Sequence, residues 1–251
     1  MIDLYFQDHN SNSKNTIILI HGLGVNGDSW KYQIDILIKA GFRLIIPDLL
    51  GFGLSKYQNE EISILNTCKD INKILKSLNI EDASIIGLSL GGVIAMQFAN
   101  MYPKTVNNLV IINSFAKLPL NSIKQKLYLA FRVVIAKLLP IRIQALIIAY
   151  SLFPKNAKLQ KEFYQQMQLA DKNAYIKYLE AIINLDIIHS IQRITAKTLI
   201  ISTNDDKIIP KSCAEILQKN ILSAKLKTLD GSHAAIADNA KEVNKALLEF
   251  L

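Results

Sequence analysis

Ile85-Ile86-Gly87-Leu88-Ser89-Leu90-Gly91-Gly92-Val93 decides how this chain is read. A short apolar run (83–86) leads into G-x-S-x-G, and a helical pattern (90–102) leads away from it. That is the context a nucleophile elbow needs: a sharp strand-to-helix turn that lifts a serine hydroxyl above the edge of a sheet. The glycines leave room for a strained turn. The Leu90 amide and the start of the following helix would face a developing oxyanion. The same letters also fit an ordinary Gly/Ser turn, so the rest of the chain must supply partners for Ser89.

Outward from the elbow, apolar runs at 16–20, 43–47, 108–112, 197–202 and 224–229 alternate with helix-like segments at 30–40, 61–78, 211–219 and 236–251. Ile71, Ile74, Leu75 and Leu78 recur three and four apart, the mark of an amphipathic helix. Continuous apolar strands alternating with helices predict an α/β fold, a mostly parallel central sheet flanked by helices on both faces. The alternation stops between 114 and 190, where only helical periodicity appears, interrupted at Pro119, Pro140 and Pro154. The expected organisation is a core of 1–113 and 191–251 carrying a helical cap, 114–190, as an insertion. His9 falls in a polar N-terminal segment.

A serine hydroxyl needs a base. In a parallel sheet the loops after the strand C-termini gather on one edge, where ligands bind. Ser89, His21 and His233 all map to that edge. His233 sits in Leu229-Asp230-Gly231-Ser232-His233-Ala234, between the last strand and the last helix, and is the preferred base. The base needs an orienting carboxylate. Thr203-Asn204-Asp205-Asp206-Lys207 follows a strand, and Pro210 suits the opening of a helix. Asp206 is the preferred acid and Asp205 the alternative.

Several classes are excluded. Half of the residues are hydrophobic, unlike a disordered chain. Met1-Ile2-Asp3-Leu4-Tyr5 lacks the basic start and apolar run of a secretory signal. The longest uncharged piece of the most apolar stretch, 143–154, is short of the roughly 20 residues that span a bilayer. Cys68 and Cys213 form no C-x-x-C pair and read as free thiols in a reducing compartment, so a cytoplasmic location is expected. Neither H-E-x-x-H nor G-x-x-x-x-G-K occurs, and no metal or cofactor is expected.

The sequence resembles the α/β-hydrolase superfamily over almost its whole length. The matching pieces are His21-Gly22-Leu23-Gly24, Pro47-Asp48-Leu49-Leu50-Gly51-Phe52-Gly53-Leu54-Ser55, Gly87–Gly92, Asp206 with Pro210, and Gly231-Ser232-His233. The order Ser89, Asp206, His233 is the order of that fold's triad. The resemblance implies a serine carboxylesterase working through an acyl-enzyme, with the amides of Leu23 and Leu90 as oxyanion hole and His21 structural. It also implies that the Asp48–Ser55 loop supports the site edge without being catalytic. Relatives that use Asp at the elbow, haloalkane dehalogenases and epoxide hydrolases, are excluded by Ser89. One departure is Thr203, where the family usually has Gly, and it loosens the choice between Asp205 and Asp206.

The 251 residues carry 29 Lys plus Arg against 21 Asp plus Glu, a net charge of +8. Segment 1–113 is at −1 and 191–251 at +2, whereas 114–190 holds 11 cations against 4 acids. The excess is thus local to the expected cap, which argues against nucleic acid. G-x-S-L-G-G with a basic helical cap resembles the pimeloyl-acyl-carrier-protein methyl ester esterases of biotin synthesis. That likeness implies an acidic acyl carrier protein as partner, met by Lys124, Lys126 and Arg142. Short-chain esterases and C–C bond hydrolases share most of these features. A non-catalytic protein binding through the basic cap is a third class, which the complete Ser89, Asp206 and His233 set argues against.

Overall fold

The computed structural model describes residues 4–118, 123–222 and 224–251. Seven strands form one sheet: β1 (Phe6–His9), β2 (Thr16–Ile20), β3 (Arg43–Pro47), β4 (Ala83–Leu88), β5 (Val106–Ile112), β6 (Lys197–Thr203) and β7 (Ala224–Leu229). Their order is β1-β3-β2-β4-β5-β6-β7, with β1 antiparallel to β3 and every other pair parallel. This is an α/β-hydrolase-type arrangement, a mostly parallel sheet flanked by helices.

The strands read as continuous apolar runs because both faces of the sheet are covered. Side chains alternate across a strand, so neighbouring residues enter different cores. Ile18, Ile20, Ile85 and Ile111 pack on one face with α2 (Ile64–Ser77), α3 (Leu90–Met101) and α9 (Lys211–Asn220). Ile17, Leu19, Ile86 and Ile112 pack on the other with α1 (Lys31–Lys39) and α11 (Ala240–Phe250). Each fully buried Ile or Leu contributes about 1.5–3 kcal/mol to folding.

The N-terminal segment differs from the expectation. Phe6–His9 is an edge strand, held to β3 by a bidentate Arg43–Asp8 pair at 2.9 and 2.7 Å. An edge strand buries little, so Gln7 and Asp8 hid it from a search for apolar runs. The helix expected at 236–251 is two, α10 (Ala235–Asp238) and α11, broken at Asn239 with φ −131°.

Between β5 and β6 lie α4 (Ile123–Leu138), α5 (Ile141–Leu152), α6 (Ala157–Met167), α7 (Lys172–Ile183) and the single turn α8 (Ile188–Ile191). The two ends of this insertion are clasped together. Lys117 bridges Asp186 at 2.7 Å, and the Ile187 amide donates to the Ala116 carbonyl at 3.0 Å. The α7 helix is fixed to the core at several points. The Asp171 amide donates to the Gly51 carbonyl at 2.7 Å, Tyr178 lies 5.5 Å from the Phe52 ring, and its hydroxyl bonds Thr67 at 3.1 Å.

The elbow sets the glycine pattern. A Cβ on Gly87 would run into the backbone of Gly91, and one on Gly91 into the Ile20 carbonyl. Helix α3 thus starts hard against β2 and β4. Gly91→Ala should destabilise the protein by about 1–3 kcal/mol, an overpacking cost against backbone that cannot move aside. Gly22→Ala, whose added methyl meets only ordinary contacts, should shift the urea midpoint far less. Equal midpoints for the two variants would contradict this account.

Candidate active site

Six loops at the C-terminal edge of the sheet converge. Ser89 follows β4 with φ +54° and ψ −114°, a conformation few side chains adopt. The strain is of order 1–3 kcal/mol and must be imposed by its surroundings. Its amide donates to the Ile112 carbonyl at 2.9 Å. Its carbonyl receives the Gly92 and Val93 amides at 2.9 and 3.1 Å and the Ser114 hydroxyl at 2.6 Å.

His233 follows β7, and its Nδ1 lies 2.8 Å from Asp206 Oδ2. Asp206 is held in turn by the Ile208 and Ile209 amides, which donate to Oδ1 at 2.8 and 2.9 Å. Its side chain is only 2% exposed. A carboxylate can only accept, so Nδ1 is the donor, and in the neutral imidazole Nε2 keeps its lone pair. Asp205 is exposed and engages the Gly231 carbonyl through its amide at 3.2 Å. The structure therefore brings Asp206, and not Asp205, to His233.

Ser89 and His233 line one cavity of about 210 Å³. Its walls are mainly apolar, with Leu23, Phe115, Leu129, Ile148, Phe163 and Ile182 among them. Helices α4 to α7 supply much of this wall. At one side, Glu162 of α6 pairs with Lys31 at 2.7 Å and accepts from the Tyr32 hydroxyl at 2.8 Å. Burial and this carboxylate push the Tyr32 hydroxyl up to about 12. Among the described residues, neither the Leu23 nor the Leu90 amide donates a hydrogen bond. Leu23 lines the cavity, and Leu90 opens α3 beside Ser89.

The basic residues expected to meet a partner stand differently. The side chains of Lys124 and Lys126 lie outside the described residues. Arg142 is exposed and does not line the cavity, whereas Arg132 does.

His21 is fully buried and does not line the cavity. Its Nε2 accepts from the Leu49 amide at 2.9 Å, so Nδ1 must carry the proton that bonds the Gly22 carbonyl at 2.8 Å. Asp48 clasps the same edge, accepting from the Gly27 and Leu54 amides at 2.8 Å each. Both thiols are buried and free, and burial followed by the Asp206 charge pushes Cys213 up to about 11. No group of metal-binding type occurs among the described residues.

Two supporting roles escaped the sequence reading. Asn113, with φ +45°, follows β5 and donates through Nδ2 to the His233 carbonyl at 3.0 Å. Its Oδ1 accepts the Thr203 amide at 3.1 Å. Thr203, the departure from the family pattern, donates its hydroxyl to the Ser232 carbonyl at 2.9 Å. Asn113 and Thr203 together hold the His233 loop. An Asn directly after an apolar run was the signal available for Asn113.

Burial lowers the His21 pKa and holds the ring neutral. The unfolded chain binds its proton near pH 6.5, so the folded state gains none there. Stability should fall as pH drops below about 6.5. His21→Gln should show a shallower fall of Tm between about pH 7 and 5. An unchanged slope would show that His21 is not the linked group.

The model of the alpha/beta hydrolase fold family matches residues 15–240. A relative from Serratia proteamaculans (strain 568), named "Putative carbamate hydrolase RutD", is 27% identical over 247 residues, spanning 94% of this chain and 90% of its own. The enol-lactonase from Burkholderia xenovorans LB400 superposes with a TM-score of 0.89 at 21% identity, covering 98% of this chain and 95% of that one. An esterase from Exiguobacterium antarcticum superposes at 0.90 and 22% identity, covering 98% and 94%. At such identities the two structures speak for the fold alone. The family match, spanning most of the chain and including both the elbow and the His233 loop, shows that this hydrolase belongs to the α/β-hydrolase fold family.

Proposed function

We propose that the chain is a serine carboxylesterase whose triad is Ser89, His233 and Asp206. The observation that carries this is the 2.8 Å His233–Asp206 bond, opening onto the same cavity as Ser89. His233 Nε2 takes the Ser89 proton while Oγ attacks the ester carbonyl. The Leu23 and Leu90 amides hold the oxyanion, each such donor being worth a few kcal/mol. Collapse expels the alcohol, which takes the proton from His233. Water then attacks the acyl-enzyme, giving His233 a proton, and collapse releases the acid as Ser89 Oγ takes that proton back from His233.

The apolar cavity suits an acyl chain. Helices of 114–190 act as the cap that walls this chain off from water. The Serratia relative's name extends the reading to carbamates, whose carbonyl would undergo the same addition. A pimeloyl ester on acyl carrier protein draws support only from the positive charge of 114–190, a feature that a second kind of partner fits better.

Ser89→Ala should abolish p-nitrophenyl butyrate hydrolysis, lowering kcat by at least about a thousandfold. Asp206→Asn should cost roughly 10⁴ in kcat, because the ring loses its correct tautomer, and Asp205→Asn should stay near the wild-type rate. Steady-state kinetics decide the matter. Wild-type turnover in the Ser89 variant would end the triad assignment, and a larger loss in the Asp205 variant would transfer the acid's role.

A further inference from the structure

We infer that the outer faces of α4 and α5 form a docking surface for an anionic lipid membrane. Leu127, Phe131, Val134 and Leu138 of α4 are exposed, Phe131 by 62% and Leu138 by 73%. At 3.6 residues per turn they fall within an arc of about 60°. Ile143, Leu146, Ile147 and Tyr150 of α5 are exposed as well, within an arc of about 100°. Water-facing stripes of large apolar side chains on two consecutive helices mark an interaction face.

The sequence that carries these stripes has charge of one sign. Residues 83–161 contain no Asp or Glu and ten Lys or Arg. By sequence, α4 holds Lys124, Lys126, Arg132 and Lys137, of which Arg132 lines the cavity and Lys137 bridges Glu180 of α7 at 2.7 Å, and α5 holds the exposed Arg142. An apolar stripe beside cations, with no acid on either helix, is the pattern of a helix lying in a membrane interface. Headgroup phosphates would take exposed cations such as Arg142 while the stripes enter the acyl boundary. No described helix is long and apolar enough to cross a membrane, so the geometry is that of a surface-bound helix pair.

Two other occupants fit less well. A second copy meeting the same face would bring cation to cation, since a two-fold interface pairs like surfaces. An acidic protein would satisfy the charges but would need its own apolar grooves for two stripes. An anionic bilayer supplies both chemistries at once.

The cavity lies on the other side of these helices. Leu129 and Arg132 of α4, and Ile148 and Leu152 of α5, line it. They stand roughly opposite the exposed stripes around each helix axis. The docked protein would thus hold its cavity about one helix diameter, roughly 10 Å, from the lipid surface. Docking does not rest on Ser89 being the nucleophile, and binding is measured without turnover.

The test is sedimentation of the full chain with vesicles of phosphatidylcholine, with and without phosphatidylglycerol. Phosphatidylglycerol should strengthen binding roughly tenfold or more at low salt, and about 0.5 M NaCl should reverse most of that gain. Phe131→Glu with Ile147→Glu should weaken binding roughly tenfold, with Tm and p-nitrophenyl butyrate hydrolysis unchanged. Should that double variant misfold, the milder Leu138→Ser with Tyr150→Ser serves the same purpose. Equal binding to both vesicle types, no binding, or unchanged binding by folded variants would overturn the proposal. So would a dimer by light scattering that the same substitutions dissolve. Capture by acyl carrier protein with vesicles left unbound would assign the face to a protein partner instead.

Discussion

The backbone of Ser89, held at φ +54°, is the constraint on which the rest of this structure depends. A non-glycine residue there survives only if its neighbours leave no alternative. The Ser89 amide is tied to the end of β5, and its carbonyl is shared between the first turn of α3 and the Ser114 hydroxyl. For those bonds to form, α3 must begin against β2 and β4, which excludes any Cβ at Gly87 and Gly91. The strain, the glycines and the position of the first covering helix are therefore one requirement seen from three sides.

The same edge shows how backbone order becomes side-chain order. The parallel ladder continues past the strand ends: Asn113 donates to the Ile201 carbonyl and Asn204 to that of Leu229, both at 2.9 Å. The loops after β5, β6 and β7 are thus fixed to one another before any catalytic side chain is considered. Asn113 and Thr203 then fasten the His233 loop from beneath. Where the family usually keeps a small residue, Thr203 places a hydroxyl that satisfies the Ser232 carbonyl. A substitution that looked like a weakening of the site supplies one of its supports.

The sequence showed most clearly those parts in which one local pattern answers one physical need. Buried parallel strands must be apolar on both sides, so β2 to β6 were visible as runs. The elbow needs glycine at fixed spacing, so it was visible as a motif. The β1 strand was hidden because an edge strand half in water need not be apolar. The break at Asn239 was hidden because the amphipathic period of 236–251 hardly changes across it. The choice of Asp206 over Asp205 depended on which carboxylate the Ile208 and Ile209 amides capture, and no composition rule records that. Asn113 escaped because its work is done by contacts to residues about 90 and 120 positions away, which no local pattern encodes.

Helices α4 and α5 carry two demands on opposite faces. The α7 helix is bound to the core by the Gly51 carbonyl, Phe52 and Thr67, and has little freedom to move. The α4 and α5 helices lie outside it, meeting the cavity through Leu129 and Ile148 and water through Phe131 and Ile147. A helix turns as a rigid body, so a rotation that advances Phe131 toward a surface must also turn Leu129 along the cavity wall. A membrane that stabilises one orientation of α4 would, by the reciprocity of coupled equilibria, favour whichever cavity shape goes with it. Whatever binds the outer stripe would therefore act on the cavity through the same two helices, without any contact to Ser89 or His233.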